Sequence, residues 1–271
     1  MSVDSLTTDA VSQPDSGNST SRVDVLEDHL KTTTSLNFRQ VSRGKMNKVD
    51  NAETTLLFSE LFFELSEGTF PENQDGIAKP PTQEEFVDEY FERSVENGNE
   101  MFTEELEDAW KRRLELAYPS FVRDLHFTLL LQEYNKEHQV FDSVTYSIED
   151  DIQGADIVVR KDGEEFHINC YVDSKKSKKF LKQKKEYRQE QTGAEQIFLP
   201  MKMGGSNATQ IKLSDGNGMW LYDASHIQTV VNKVRNQKYD DECVREVAEV
   251  LQENDYTETQ IEAVVETLHE Q

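Results

Sequence analysis

The chain has 271 residues, 35% hydrophobic and 30% charged, and its 53 Asp and Glu against 29 Lys and Arg leave a formal charge of −24. That length admits a sizeable core with appended segments, and no run approaches the roughly 18 apolar residues that a membrane span needs. The two cysteines, Cys170 and Cys243, form no C-x-x-C pair, which argues against a disulfide framework or a zinc site and fits a reducing cytoplasm.

The acids are spread along nearly the whole chain, the pattern expected of a halophile, whose salt screens surface repulsion to about 3 Å at 1 M. Residues 1–46 are expected to form a poorly ordered leader. Its opening, "MSVDSLTTDAVSQPDSGNSTS", has few apolar anchors and neither the basic start nor the apolar core of an export signal. A cytoplasmic protein follows as the expectation.

A helical region is expected over 47–117. "NKVDNAETTLLFSELFFELSEG" carries Leu57, Leu61 and Leu65 at helical spacing, and "FPENQDGIAKPPTQ" is a proline-broken linker. "EEFVDEYFERSVEN" is a second helix. "MFTEELEDAWKRRLELAY" is a third, with Phe102, Leu106, Trp110 and Leu114 four residues apart.

Residues 118–238 carry the α/β part. Pro119 predicts a fresh start for the apolar helix "SFVRDLHFTLLLQEY". Strands follow in "FDSVTYSI", "ADIVVR" and "EFHINCYVD", then a basic helix from about Lys175 to Gln191. "AEQIFLP" and "GMWLYD" read as buried strands separated by a loop, and "ASHIQTVVNKVRNQ" as a helix. The tail, 239–271, reads as a helical hairpin with a capping box at Thr257 and Gln260.

Asp162-Gly163 has the chemistry of a two-residue hairpin turn. With that turn, paired residues have numbers that add to 325, which sets Asn169 opposite Asp156. Alternation puts Phe166, Ile168, Cys170 and Val172 on a core face, and His167, Asn169, Tyr171 and Asp173 on a polar one.

The residues "GAD" at 154–156, the hairpin, and the strand running into "DSKKS" resemble the PD-(D/E)XK, or restriction-endonuclease-like, nuclease superfamily over about 118–238. The "V-D-S" strand end is similar to that of Taq-type restriction endonucleases. The resemblance implies a central mixed sheet flanked by helices, and Mg²⁺ held by acids while a lysine assists the attacking water. Asp156 matches the first acid. The second acid has two candidates. Register puts Asn169 there, which removes the carboxylate, whereas the tripeptide Asp173-Ser174-Lys175 supplies both acid and lysine but needs a bulge, strong twist or longer hairpin to reach Asp156. Glu133, on the preceding helix, is a further metal ligand under the same resemblance.

Between Lys175 and Arg188 stand Lys175, Lys176, Lys178, Lys179, Lys182, Lys184, Lys185 and Arg188 against Glu186 alone, a local charge of +7 in an acidic chain. Such a reversal suits the phosphate backbone of a nucleic acid. The expected activity is that of a Mg²⁺-dependent endonuclease acting on DNA, with RNA as the alternative partner and a homodimer open as the assembly. A nuclease-like core that binds nucleic acid without cutting it is the first rival, and an acidic protein-interaction module the second.

Overall fold

The computed structural model describes residues 21–50, 57–66, 79–147, 155–174, 194–204 and 208–236. The lysine-rich run 175–188 and the hairpin expected over 239–271 lie outside the described residues.

The described elements make a mixed α/β protein. Helices α1 (Arg22–Thr33), α2 (Arg43–Val49), α3 (Phe58–Leu65), α4 (Gln83–Glu96) and α5 (Glu107–His138) precede strands β1 (Ser143–Thr145), β2 (Ile157–Lys161), β3 (Glu164–Val172) and β4 (Glu195–Met201). Strands β5 (Thr209–Lys212) and β6 (Gly218–Leu221) and helix α6 (Ala224–Asn236) complete them.

The leader expected over 1–46 is helical in part. Helix α1 buries Val23, Leu26 and Leu30 at i, i+3 and i+7, and each fully buried leucine contributes about 2 kcal/mol. A 12-residue helix is marginal alone, so tertiary contacts hold it. Ser21 Oγ accepts from Val23 N at 3.1 Å and Asp24 N at 3.2 Å. Glu133 on α5 accepts from Ser21 Oγ at 2.9 Å and Val23 N at 3.2 Å.

Pro119 does not begin a helix. It lies inside α5, a single 32-residue helix about 48 Å long that crosses the boundary expected at 117/118. Proline removes one N–H, and a side chain of α4 replaces that donor, so the helix continues. Helix α4 opens with a capping box in which Thr82 and Glu85 satisfy each other's main-chain N–H. Helix α5 stops where Gln139 takes the left-handed conformation, φ 48°, and Asn135 clamps the turn by bonding both polar main-chain groups of Phe141.

Strands β1 to β4 form one sheet in that spatial order; β1–β2 and β2–β3 are antiparallel and β3–β4 is parallel. The hairpin register agrees with the turn chemistry: Ile157 pairs with Ile168 and Lys161 with Glu164, across Asp162 (φ 52°) and Gly163 (φ 85°). The segment "GMWLYD" departs from expectation. Its strand, β6, pairs antiparallel with β5 in a separate two-stranded sheet, and β5 comes from what reads as loop. That ribbon is tied to the N-terminal segment through Ser214 Oγ to Thr34 O, 2.6 Å, and Leu36 N to Asp215 Oδ2, 3.1 Å.

Two apolar clusters share α5 as a spine. One gathers α1 to α4, the first half of α5 and the β5–β6 ribbon around Phe62, Phe86, Trp110 and Tyr118. The other sits between the four-stranded sheet, Phe127 and Leu131 of α5, and Ile227, Val230, Val231 and Val234 of α6. Phe166 and Ile168 belong to the second cluster, with Cys170 and Val172 packed against it, as alternation along β3 requires. His167 and Asn169, on the other face, are also buried.

Candidate functional site at the start of strand β2

The chain enters β2 through Asp156. Its N–H donates to Ile168 O at 3.0 Å, and its Oδ2 accepts from Cys170 N at 2.6 Å. The carboxylate thus stands where a main-chain acceptor would continue the ladder, and a charged acceptor makes that bond a strong one.

Three other elements bring side chains to the same place. The Cys170 thiol, from β3, lies close enough to the Asp124 carboxylate of α5 and the Tyr222 hydroxyl just after β6 for both to act on its titration. Asp124 shares a stripe of α5 with Phe127 and Leu131, at i, i+3 and i+7, which is the stripe facing the sheet. Burial pushes the Cys170 thiol and the Tyr222 phenol well above their ordinary pKa ranges, and the Asp124 and Asp156 charges push both the same way. Both groups therefore stay protonated and act as hydrogen-bond donors. Cys170 is no nucleophile, because only a thiolate attacks.

Tyr222 is held in turn by ring contacts to Phe127, 5.0 Å between centroids, and to His226, 4.8 Å. His226 Nε2 reaches Pro200 O at 3.2 Å, and its Nδ1 lies 3.1 Å from Asp223 Oδ1. Arg123, beside Asp124, donates from Nε to Trp220 O at 2.9 Å. The site is therefore braced from β4, β6 and α6.

The residues expected to carry chemistry are distributed differently. The paired register ends at Ile157 opposite Ile168, and the amide of Asn169 serves the other face, donating to Gln196 Oε1 at 3.0 Å and His167 O at 3.3 Å. Asp173 lies past the end of β3, its N–H donating to Met201 O at 2.8 Å. Pairing of β3 with β4 is unbroken from Phe166 to Val172, which leaves positions 169 and 173 roughly 13 Å apart along the strand.

Glu133 caps α1. Nine residues beyond Asp124, it is two and a half turns along α5, on the opposite side and about 13 Å away along the axis. His167 is a structural histidine, its Nε2 2.6 Å from Glu165 Oε1. Lys175, Lys176, Lys178, Lys179, Lys182, Lys184, Lys185 and Arg188 lie outside the described residues.

Asp124 and Tyr222 are the members that sequence reasoning missed. Asp124 did leave a signal, an acid within the apolar run "FVRDLHFTLLL". Among the described residues no three His, Cys, Asp or Glu side chains gather as a metal-binding group, and no helix is long and apolar enough to cross a membrane. No family model, curated protein or solved structure matches this chain.

Proposed function

We propose that this chain is a Mg²⁺-dependent endonuclease of restriction-endonuclease-like architecture that hydrolyses phosphodiester bonds in DNA. The observation that carries the reading is the convergence of Asp156, at the start of β2, and Asp124, from the preceding helix, on Cys170 of β3. The element order supports it: a helix, three antiparallel strands, and a fourth strand parallel to the third beyond the lysine-rich segment.

The donor chemistry fits a hard cation. Mg²⁺ is commonly held by one or two carboxylates together with substrate phosphates and water, and Asp156 and Asp124 are the pair this chain would offer. When bound, the ion polarises the phosphate and lowers the pKa of its water. The protein's own part is orientation: Cys170 N–H fixes the Asp156 carboxylate, and the Cys170 thiol places β3 beside Asp124 and Tyr222. The +7 segment that follows β3 in sequence supplies phosphate-attracting charge, with Lys175 the nearest amine along the chain.

A second reading, a nuclease-like core that binds nucleic acid without cutting, is favoured by one observation. The side chain of β3 that meets Asp124 is the thiol of Cys170, not a carboxylate. Plasmid DNA incubated with the protein and Mg²⁺, beside an Asp156→Asn control, separates the two. Nicking that the substitution abolishes supports the enzyme. Retarded but intact plasmid supports the binding module, and neither outcome leaves both readings without support.

A further inference from the structure

Between Asp28 and Asp50 the chain runs 21 residues without an acid and with five Lys and Arg, in a protein of 53 acids. Helix α2 closes this stretch. Its Val49 is buried, while Arg43, Gly44, Asn47 and Lys48 are exposed. These four fall at i, i+1, i+4 and i+5 and form one outward face.

That face is not explained by packing. Arg43 makes no hydrogen bond or ion pair among the described residues. Gly44 has an ordinary φ, and a Cβ there would meet nothing within 4 Å, so neither strain nor crowding calls for glycine. In a helix it is about 1 kcal/mol worse than alanine. What it does provide is bare main chain between two cations.

The segment leading into α2 adds a ring and two guanidinium groups. Phe38 is 42% exposed and lies against the Arg112 guanidinium, 4.8 Å from its centroid. Buried Glu115 accepts from Arg39 N at 2.7 Å, pairs with the Arg39 guanidinium, and stands 3.7 Å from Arg112. One carboxylate thus stands between two cations. The nearby acids are Glu105, 3.3 Å from Lys48, Asp108, 3.9 Å from Arg39, and Asp50, the C-cap of α2, so the cation of this face with no such partner among the described residues is Arg43.

We infer that this surface, the exposed face of α2 together with Phe38 in the segment that leads into it, is a seat for single-stranded nucleic acid, phosphates on Arg43 and Lys48 and a base stacked on Phe38. Charge complementarity argues for a polyanion, and an exposed ring among guanidinium groups argues for bases, since stacking on an aromatic face is tolerant of sequence. An acidic peptide would use the cations but leave the ring idle. The inference rests on the nucleic-acid reading above and adds a second contact region, remote in sequence from the 175–188 run.

The test is fluorescence anisotropy of the full chain with a labelled single-stranded oligonucleotide in EDTA, across a KCl series. Arg43→Glu, at an exposed site, should weaken binding about tenfold and lower the slope of log K against log salt by about one. Phe38→Ala should weaken it about fivefold or more with little change of slope, and Phe38→Trp emission should be quenched on binding. Wild-type protein that binds no single-stranded oligonucleotide overturns this seat, and the plasmid assay above decides the nucleic-acid reading separately. Binding that survives both substitutions unchanged overturns the seat alone. Poly-glutamate that binds as tightly at equal charge, with no quenching of the tryptophan by oligonucleotide, makes the surface a protein-docking one and also overturns it.

Discussion

The Gln83 side-chain amide donates to the Glu115 main-chain carbonyl at 3.0 Å, which is the carbonyl that Pro119, four residues on, cannot serve. The same Gln83 accepts from Asn37 N at 2.8 Å. One buried amide thus repairs the helix and fixes the N-terminal segment against it. Gln83→Ala should cost about 1–3 kcal/mol in urea denaturation, because it orphans buried main-chain groups. In a Pro119→Ala background, which restores the helical N–H, the same substitution should cost measurably less. Strict additivity in that double-mutant cycle would refute the repair.

Asp156 has a structural duty and a proposed chemical one, and two substitutions separate them. Asp156→Ala leaves Cys170 N–H without its acceptor and should destabilise by about 1–3 kcal/mol. Asp156→Asn keeps an oxygen for that bond and should cost less than about 1 kcal/mol. Both should reduce Mg²⁺-dependent plasmid nicking at least about a hundredfold. Wild-type nicking by Asp156→Asn would remove Asp156 from the site.

In the proposed Mg²⁺ site, position 170 on β3 is where a further oxygen ligand would be sought beside Asp124 and Asp156. Cys170→Asp should crowd three carboxylates together, so the metal-free melting temperature falls through like-charge repulsion. Added Mg²⁺ should then raise it by more than it raises the wild type, since a cation that binds only the folded state stabilises it. Equal Mg²⁺ responses would mean that position 170 does not reach the cation.

Acid should destabilise the fold through two glutamates. A hydrogen bond from His167 holds Glu165 below the usual carboxylate range, and His126 does the same for Glu27. A depressed folded-state pKa gives stability that is present above the unfolded value, near 4.5, and is lost as pH falls through the folded one. Melting temperature measured downward from neutral pH should therefore drop below pH 4.5, and the drop should be shallower in Glu27→Gln/Glu165→Gln. Parallel curves would show that these pairs make no such contribution.

The legible parts of this protein were local. Asp162-Gly163 carries the turn in its own backbone preferences, and a two-residue turn leaves one register, so Ile157 opposite Ile168 follows from the sequence. Alternation then sorted Phe166, Ile168 and Cys170 from His167 and Asn169. Pro119 misled because the donor that keeps α5 intact comes from Gln83, 36 residues earlier. The leader misled because α1 owes its helix to Leu26, Leu30 and a cap from Glu133, a residue more than a hundred positions away.

The candidate site divides in the same way. Asp156 was marked by a strand start, a feature read within a few residues, and that much the amino-acid sequence determined. Only the tertiary structure paired it with Asp124, set a thiol between the acids, seated Tyr222 against that thiol and sent Asn169 and Glu133 to other faces. The reason is one of range: turn chemistry and side-chain alternation act between neighbours along the chain, whereas the partner of a buried carboxylate is chosen by how helices and strands pack. Residues 124, 156, 170 and 222 share no spacing that a one-dimensional pattern could hold.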